Sequence, residues 1–390
     1  MKLGDICSKI GSGATPRGGK DSYKDSGTAI IRSQNVLDWT FSSSGLAFID
    51  DDQAEALSSV EVKQGDVLLN ITGDSVARAC IVPSEFLPAR VNQHVAIIRA
   101  NEEANNLFLL AWLQANKGTL LKLASSGATR NALTKRMLEN LDVNLPSIDV
   151  QNKVAAFIDS IQAKITLNAK LNGYLEELLL AKFDKLFPVN ANFTGILSDV
   201  GTVIGGATPS KKRSEYYCSN GIGWITPRDL SNTSDKFIAH GADDITDEGY
   251  ASCSAKLLPK GSVLFSSRAP IGYIAIATDA VATNQGFKSI VPKEEIGTAF
   301  VYCFLVRNKQ RIADMGAGTT FPEVSGKMMK SVELAVPEQT LCAEFDFFAG
   351  PILKQQEALE RENRELAALR DTLLPKLMSG EIDASQVDLI

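Results

Sequence analysis

The feature that most constrains the fold is a long amphipathic helix that the sequence predicts twice. A strand-like segment ending in Pro precedes each copy, at residues 143–146 in the first half and 334–337 in the second. Apolar residues then recur three and four apart over about residues 149–186 and 340–378, which is typical of a helix with one apolar side. A helix of about 38 residues spans about 57 Å and cannot bury its own apolar stripe.

Each predicted helix can cover the stripe of the other if the two pack antiparallel as an intramolecular coiled coil. The stripe includes Leu171 and Leu178 in the first copy and Leu369 in the second, and it is interrupted by Asn168, Asn172, Gln356 and Asn363. Polar residues at such positions lower stability but fix register and partner. The predicted seam residues are Ile161, Ile165, Asn172, Leu175, Leu179, Ile352, Leu359, Asn363, Leu366 and Leu373. Two unrelated core helices are the alternative interpretation.

The rest of the sequence also occurs in two copies. Residues 3–16 match residues 197–209, and both segments end in Gly-Ala-Thr-Pro. Further matches pair residues 64–70 with 260–266, 91–94 with 283–286, and 125–129 with 316–320. The matches keep their order over about 190 residues, so we interpret the chain as a duplication. The period is too long for a solenoid, and each copy is therefore a domain followed by a helix.

Short alternating segments separated by Gly, Pro, Asn and Ser predict that both globular domains are rich in β-strands. Together with the long helices they predict an α+β fold of two similar domains, with the helices paired about a pseudo-twofold axis. The predicted boundaries are 1–147 for the first domain, 148–190 for the first helix, 191–337 for the second domain, 338–380 for the second helix and 381–390 for a tail.

Composition excludes several classes of function. The six cysteines are scattered without a C-x-x-C pair, which indicates free thiols in a reducing compartment, here the cytoplasm. The N-terminal residues lack the apolar core of a signal peptide, and no apolar run is long enough to span a membrane. The only histidines are His94 and His240. Neither has a partner at ligand spacing, so a zinc site or a His-based triad is not expected.

The net charge of −6 is unevenly distributed along the sequence. Residues 338–390 contain 11 acidic and 5 basic side chains, and the remainder contains 35 of each. The acidity therefore belongs to the second long helix and the tail, a surface that suits a protein partner better than DNA phosphates. Basic patches can still form on the neutral remainder.

Side chains that suit contacts with DNA recur at equivalent places in both halves. Basic residues follow each Gly-Ala-Thr-Pro, and Arg, Gln and Asn side chains follow strand-like segments. The first kind donates to phosphates and the second pairs with base edges. The candidate DNA-binding residues are Thr15, Arg17, Lys20, Arg32, Gln34, Asn35, Arg78, Asn92, Gln93, Thr129, Arg130, Thr208, Lys211, Lys212, Arg213, Arg228, Asp229, Arg268, Asn284, Gln285 and Thr320. Solvated loop residues, and Asn-Gln pairs that hold a turn, are the alternative interpretation.

No motif in the sequence predicts catalysis, a metal or a cofactor. Residues 11–16 begin like a dinucleotide fingerprint but lack its third Gly, and the glycine spacing of residues 13–20 is one residue off that of a phosphate-binding loop. No nucleophile elbow occurs, and residues 144–147 fail to match the Asn-Pro-Pro-aromatic element of an adenine methyltransferase at two positions.

These motifs together resemble the specificity (S, HsdS-type) subunit of a type I restriction-modification system. The resemblance rests on Gly-Ala-Thr-Pro in both halves, Trp224-Ile225 with Asp229, residues 261–268, Asn284-Gln285, and the Pro followed by a long helix. It covers essentially the whole chain. The first half departs from the pattern, because Ile30-Ile31 stands where the second half has Trp-Ile.

The resemblance implies a sequence-specific DNA-recognition subunit without catalytic activity of its own. Each globular domain is then a target-recognition domain that reads one half of a bipartite, asymmetric site on double-stranded DNA. The two helices are expected to set the spacer between the half-sites and to bind two methyltransferase (M) subunits, which motor-nuclease (R) subunits then join. S-adenosylmethionine and ATP belong to those partners. A scaffold that does not read DNA and a stand-alone DNA-modifying enzyme are the two alternatives.

Overall fold

The computed structural model describes residues 1–125, 131–188, 192–268, 270–316 and 322–382, without the side chain of Lys20. Its residues form two compact units. The first unit comprises Met1–Thr166 and Arg364–Ile390, and the second comprises Leu167–Asn363.

The first unit contains eight short strands and parts of both long helices within its described residues. The strands are β1 (Cys7–Ser12), β2 (Thr28–Ile31), β3 (Ala47–Ile49), β4 (Glu61–Val62), β5 (Val67–Asn70), β6 (Ala79–Ile81), β7 (Ala89–Val91) and β8 (Val95–Ala100). The helices are α1 (Asp51–Ala56), α2 (Asn106–Ala115), α3 (Lys117–Ser125), α4 (Lys135–Glu139) and α5 (Ile148–Leu186), and the last continues into the second unit.

Two four-stranded sheets build the first unit, in the orders β1-β8-β5-β6 and β3-β2-β7-β4. The first sheet is antiparallel, whereas β2 and β7 of the second sheet run parallel with Ile31 opposite Val91. The inner strand β5 has all four residues buried. The consecutive buried residues Val67, Leu68 and Leu69 are expected of a strand covered on both faces.

The second unit repeats this set of strands with small additions. Its strands are β9 (Gly195–Ile196), β10 (Gly201–Gly205), β11 (Tyr217–Cys218), β12 (Gly223–Ile225), β13 (Phe237–Ile238), β14 (Asp244–Ile245), β15 (Val263–Phe265), β16 (Ile274–Ala277), β17 (Val281–Thr283), β18 (Lys288–Pro292) and β19 (Glu333–Leu334). Its helices are α6 (Pro227–Ser231), α7 (Asp247–Ala251), α8 (Gly297–Met315), α9 (Gly326–Lys330) and α10 (Gln339–Ser379), and the last ends in the first unit.

Strand order shows that the two units share one plan. The order β10-β18-β15-β16, extended by β13, matches β1-β8-β5-β6 of the first unit. The parallel pair of β12 and β17 likewise matches β2 and β7, with Ile225 opposite Thr283. The predicted α+β fold with two similar domains is confirmed.

The long helices α5 and α10 pack on the globular core of each unit. In the second unit, the ring centroid of Phe183 of α5 lies 5.6 Å from that of Phe300 of α8 and 5.7 Å from that of Phe345 of α10. In the first unit, Ile158 of α5 and Leu374 of α10 are buried in one apolar cluster. Each helix begins and ends within one residue of its periodic apolar segment, 149–186 for α5 and 340–378 for α10.

Burial along the two helices differs from the predicted stripe. Of the predicted seam residues, Ile161, Leu179 and Leu359 are buried; Ile165, Asn172, Leu175, Ile352, Asn363, Leu366 and Leu373 are half-buried. The prediction that Leu171, Leu178 and Leu369 lie in the apolar stripe is wrong, because these side chains are 42%, 50% and 47% exposed. Their apolar spacing identified the helix but not the side of it that meets the core.

Polar contacts join α5 and α10 within each unit. In the second unit, Nδ2 of Asn168 donates to a carboxylate oxygen of Glu362 over 2.7 Å, and Nζ of Lys182 donates to Glu344 over 2.7 Å. Residue numbers thus rise along one helix as they fall along the other, so the two segments run antiparallel there. In the first unit, Arg370 donates to the side-chain oxygen of Gln162 over 2.7 Å.

Candidate nucleic-acid interface

In the first unit, four loops emerge at one edge of the two sheets. Because β2 and β7 run parallel, their carboxyl ends lie side by side. The end of β1 and the end of β5 both lie beside the start of β8, with Ser12 opposite Ala96 and Asn70 opposite Val95. We call the loops at these strand ends, residues 13–17, 32–35, 71–78 and 92–94, the first polar edge.

Equivalent strand ends of the second unit meet in the same way. The end of β10 lies beside the start of β18, with Gly205 opposite Lys288, and the parallel strands β12 and β17 end together. Ser266, after β15, bridges to Phe287 just before β18. We call the loops here, residues 206–213, 226–229, 266–268 and 284–286, the second polar edge.

The Gly of each Gly-Ala-Thr-Pro turn lies directly against the backbone of the parallel pair. A Cβ on Gly13 would lie 1.9 Å from the carbonyl oxygen of Val91, and one on Gly206 would lie 2.1 Å from that of Asn284. Neither distance is possible for a real side chain. Glycine is therefore required in both halves by a close backbone approach, a role that glycine alone fills.

The Thr of each turn reaches the Gln of the Asn-Gln pair. The hydroxyl of Thr15 donates to Oε1 of Gln93 over 2.5 Å, and the hydroxyl of Thr208 donates to Oε1 of Gln285. Gln93 and Gln285 are both exposed. An amide whose oxygen is held in this way has a fixed orientation.

The Asn of each Asn-Gln pair holds the turn. Oδ1 of Asn92 accepts from the backbone N–H of His94 over 3.1 Å, and Oδ1 of Asn284 accepts from that of Gly286 over 2.8 Å. Asn92 is only 7% exposed. The prediction that Asn92 contacts DNA is corrected, since its side chain is buried in the turn; Asn284 is half-buried and has the same turn contact.

Three candidates follow β2, and the structure separates them. Arg32 donates to the carbonyl of Gly45, and its guanidinium lies 5.2 Å from the ring centroid of Tyr23. Gln34 is exposed and reaches the same carbonyl over 3.3 Å. Asn35 is fully buried, and its amide donates to two backbone carbonyls of the following loop. The prediction that Asn35 contacts DNA is therefore wrong, because this side chain closes the loop from inside.

After β12, Arg228 is exposed whereas Asp229 is engaged within its own domain. One carboxylate oxygen of Asp229 accepts from the backbone N–H and the hydroxyl of Thr226, both over 2.7 Å. The other accepts from the backbone N–H of Ala242 over 2.9 Å. The prediction that Asp229 contacts DNA is corrected, because its carboxylate is hydrogen-bonded within its own domain. Arg228 remains the exposed candidate after β12.

Arg78 and Arg268 do not occupy equivalent positions. The carbonyl of Arg78 accepts from the backbone N–H of Asn70, as that of Tyr273 accepts from Ser266 in the second unit. Arg268 instead corresponds to Thr72. Thr72 forms a β-bridge with Ala132, after α3, and Arg268 forms one with Glu323, after α8. Arg78 is half-buried, while Arg268 is half-exposed.

Arg268 belongs to a small charged group on the second polar edge. It lies 3.1 Å from a carboxylate oxygen of Glu323, and Lys288 lies 3.6 Å from the other oxygen. Burial lowers the pKa of Lys288, and the carboxylate of Glu323 opposes that shift. Sequence reasoning missed Lys288 because the matching residue of the first half is Ala96, so no repeat marks it.

His94 is a second residue that sequence reasoning missed. Its Nδ1 shares a hydrogen bond of 2.7 Å with the hydroxyl of Thr72, and its Nε2 accepts from the amide of Gln93 over 3.1 Å. A chain of hydrogen bonds thus runs from Thr15 through Gln93 and His94 to Thr72. The corresponding residue of the second half is Gly286, which explains why the repeat gave no signal here.

Exposed basic side chains lie in the loops of both polar edges. Arg17, Lys211, Lys212 and Arg213 are all exposed, and Arg213 lies 3.1 Å from Glu215. The predicted residues Thr129, Arg130 and Thr320 lie outside the described residues, as does the side chain of Lys20.

Within the described ranges, no group of three or more His, Cys, Asp or Glu side chains is placed to hold a metal ion. None of the helices in those ranges is long and apolar enough to cross a bilayer. Both edges carry exposed side chains that donate or accept hydrogen bonds, which suits recognition of a polar macromolecule.

Comparison with known proteins places the chain among DNA-specificity proteins. The family model of the type I restriction modification DNA specificity domain matches residues 1–177 and 194–345. The type I restriction enzyme MjaIX specificity subunit of Methanocaldococcus jannaschii is 41% identical over 180 residues, which cover 44% of this chain and 41% of that protein. The chain therefore matches less than half the length of this relative.

Two further proteins match over nearly the full length. The type I restriction enzyme HindI specificity subunit of Haemophilus influenzae is 23% identical over 437 aligned positions, covering 90% of this chain and 94% of that protein. The crystal structure of the type I restriction-modification system S subunit from M. genitalium superposes with a TM-score of 0.59 at 13% identity, covering 97% and 95% of the two chains. At that identity the superposition supports the fold alone.

Proposed function

The chain belongs to the family of type I restriction modification DNA specificity domains, the specificity subunits of those systems, and we propose that each polar edge reads one half of a bipartite DNA site. The observation that carries this proposal is one hydrogen-bonded framework built twice and fitted with different outward side chains. Its relatives are named as specificity subunits, in keeping with a predicted role without catalysis.

A shared framework with different side chains explains an asymmetric target. Both edges hold a Gln amide with a Thr hydroxyl. Around it, the first edge presents Arg32 and His94, whereas the second presents Arg228 and Arg268. Arg and Gln side chains pair with different base edges in the major groove. The two edges are therefore suited to different base sequences.

The long helices are proposed to pair as a coiled coil and to set the spacer between the two half-sites. Antiparallel contacts between α5 and α10 in the second unit, such as Asn168 with Glu362 and Lys182 with Glu344, support this pairing. The register of a coiled coil is fixed by polar residues at its seam. A fixed register gives a fixed number of base pairs between the half-sites.

An exposed apolar row on α5 supports binding of methyltransferase subunits. Leu167, Leu171, Tyr174 and Leu178 are 62%, 42%, 66% and 50% exposed, at spacings of four, three and four residues. Side chains at this spacing lie on one side of a helix and serve as anchors for a partner. We propose that two methyltransferase subunits bind the long helices, with this row as part of one site, and that motor-nuclease subunits join through them.

A cytoplasmic location completes the proposal. All six cysteines lie in described residues and are free thiols. Proteins with several free cysteines and no disulfide are typical of a reducing compartment, in which DNA and the partner subunits are also present.

The deciding experiment is methylome sequencing of cells that express this chain with the methyltransferase subunit of the same system. The wild-type chain is compared with a chimaera in which residues 1–147 come from another specificity subunit. We expect a bipartite methylation motif of which the chimaera changes only one half. Methylation that does not depend on the chain would contradict the proposal and favour the scaffold alternative.

The apolar row has a test of its own. The double substitution Leu171→Ser and Tyr174→Ser is expected to abolish co-purification with the methyltransferase subunit, because it removes two anchors from an exposed surface. The control is Glu177→Ser, an exposed residue of the same helix outside the row. Equal recovery of the partner with both variants would exclude the row as a binding site.

A further inference from the structure

Within the second unit, a buried ionic cluster joins the strand-rich part to both long helices. Lys236, immediately before β13, is only 9% exposed. Its ammonium group is paired with the carboxylate of Glu176 on α5 and donates to Oε1 of Gln356 on α10 over 2.8 Å. The same ammonium lies 4.7 Å from the ring centroid of Tyr302 on α8, whose hydroxyl donates to Glu176 over 2.8 Å.

Glu360 of α10 completes the cluster from the other side. Its side chain is 4% exposed, and its two oxygens accept from the backbone N–H groups of Lys236 and Phe237, both over 3.1 Å. Nδ2 of Asn172 on α5 donates to the same carboxylate over 3.1 Å. One short stretch of the recognition domain is thus held through both backbone and side chain by residues of the two helices.

Stability alone does not account for such a cluster. Charges removed from water lose hydration, and apolar residues of similar size often stabilise a fold as well or better. What a buried hydrogen-bonded network supplies is a defined geometry, since a donor that moves away from its acceptor loses the bond. In the first unit the corresponding contact is different in kind: the guanidinium of Arg370 lies 4.7 Å from the ring centroid of Trp39.

The anchored stretch continues directly into the second polar edge. Lys236 follows the short helix α6, Pro227–Ser231, that contains Arg228. On the far side of β13, the backbone N–H of Ala242 donates to Asp229 of the same helix. A closed loop therefore runs from the polar edge through Lys236 and back, and this loop is attached to α10 through the backbone of Lys236 and Phe237.

We infer that Lys236 is a positioning residue that sets the direction of the second polar edge relative to α5 and α10, and so the spacer length that the complex accepts. This inference rests on the proposed function. Lys236 itself is too buried to touch DNA. Its removal is expected to leave the bases of both half-sites unchanged and to relax the distance between them.

The test uses the full chain expressed with its methyltransferase subunit and read by methylome sequencing. In Lys236→Met, an apolar side chain of similar length replaces the ion pair. We expect the same two half-site sequences, with methylation at sites whose spacer is one base pair longer or shorter raised by at least about tenfold over wild type. Glu176→Gln, which keeps volume and one hydrogen-bond acceptor, is expected to act in the same direction. Lys236→Arg, which keeps the charge, is expected to restore most of the discrimination.

The possible results distinguish a role of Lys236 in spacer length from a role in stability alone. A lower thermal midpoint of Lys236→Met with a single unchanged spacer overturns the inference and leaves the proposed function intact. Loss of one half-site sequence also overturns it, because Lys236 then affects base reading. If Lys236→Met fails to assemble, the spacer profile of Glu176→Gln decides. A wild-type chain that directs no bipartite methylation refutes the proposed function itself.

Discussion

At the scale of single residues, Gly13 and Gly206 are required because a side chain at either position would collide with neighbouring backbone. Neither glycine is required for its backbone dihedral angles. Their missing side chains allow the chain to lie against the backbone that precedes each Asn-Gln pair. Both glycines belong to the repeated Gly-Ala-Thr-Pro element, so the sequence alone identified the turn. The contact that requires glycine could not be predicted, because Val91 is 78 residues away along the chain.

Gly13→Ala is expected to lower the free energy of unfolding by about 1–3 kcal/mol, as overpacking does elsewhere. The added Cβ would lie 1.9 Å from the carbonyl oxygen of Val91, so the backbone must shift. Gly11→Ala is the matched control, since its Cβ would meet nothing within 4 Å. Urea denaturation measures both variants. Equal midpoints for the two variants would show that the turn adapts to a side chain.

Thr15→Val and Thr208→Val form a matched pair that tests the held amides. Each substitution removes the hydroxyl that donates to Gln93 or Gln285 while keeping the shape of the side chain. Thr15→Val is expected to relax one half-site by about 1–3 kcal/mol of base discrimination, and Thr208→Val to relax the other. Methylome sequencing measures both. A change in the same half-site with both variants would contradict the assignment of one edge to each half.

The repeat identified residues that lie together in the structure wherever both halves carry the same functional group, and the contact of these residues with DNA stays a prediction. Thr15 and Gln93 were candidates together with Thr208 and Gln285, and the structure brings each pair into contact. Prediction failed for Asn35, because its burial depends on a loop that folds over it. It also failed for residues present in one half only, since a lone side chain carries no repeat signal.

At the scale of elements, the long helices were predicted almost to the residue, while the sides they bury were not. A period of three and four residues marks a helix whatever it packs against. The seam prediction assumed that each helix faces the other alone. In the structure both also pack on the globular cores, so Phe183 and Phe345 are buried and Leu171 is exposed. Which face meets a core depends on tertiary contacts that periodicity does not encode.

Glu360 on α10, which accepts from the backbone of Lys236 and Phe237, predicts a pH dependence of stability. Burial raises the pKa of the Glu360 carboxyl above its ordinary value of 4.5. The folded chain then binds this proton more tightly than the unfolded chain, so the associated stability is full below pH 4.5 and is lost as the pH rises through the folded-state pKa. Denaturant midpoints at several pH values measure this loss.

Glu360→Gln is the reference for that measurement, because it keeps the size of the side chain and removes the titratable group. It retains an acceptor for only one of the backbone N–H groups of Lys236 and Phe237, so the pH profiles are compared and not the absolute stabilities. Relative to this variant, the wild-type chain is expected to lose stability as the pH rises above 4.5. Parallel pH profiles of the two proteins would show that Glu360 titrates at its ordinary pKa.

At the scale of the whole molecule, the charge distribution predicts weak attraction to DNA of random sequence. The net charge is −6, and it is concentrated in residues 338–390, which contain 11 acidic and 5 basic side chains. Affinity for random duplex comes almost entirely from counterion release by basic groups. The isolated chain is therefore expected to depend on its partners for much of its phosphate binding.

Fluorescence anisotropy with a random duplex tests this expectation. We expect a dissociation constant no tighter than about 10⁻⁶ M for the isolated chain at physiological salt, and a marked gain when the methyltransferase subunits are added. Tight binding of random duplex by the chain alone would show that the exposed loop residues near Arg17 and Lys211 suffice.

The boundary between the two units has a consequence for inheritance. The second unit is one uninterrupted stretch of chain, Leu167–Asn363, and both of its ends lie inside a long helix. The bonds from Asn168 to Glu362 and from Gln162 to Arg370 each have both partners within one unit. A recombination event with its two crossovers at the codons of residues 167 and 363 thus exchanges one complete compact unit and keeps both partners of each bond from the same parent. On the proposed function, a cell acquires a new half of its target sequence with a single fragment of foreign DNA.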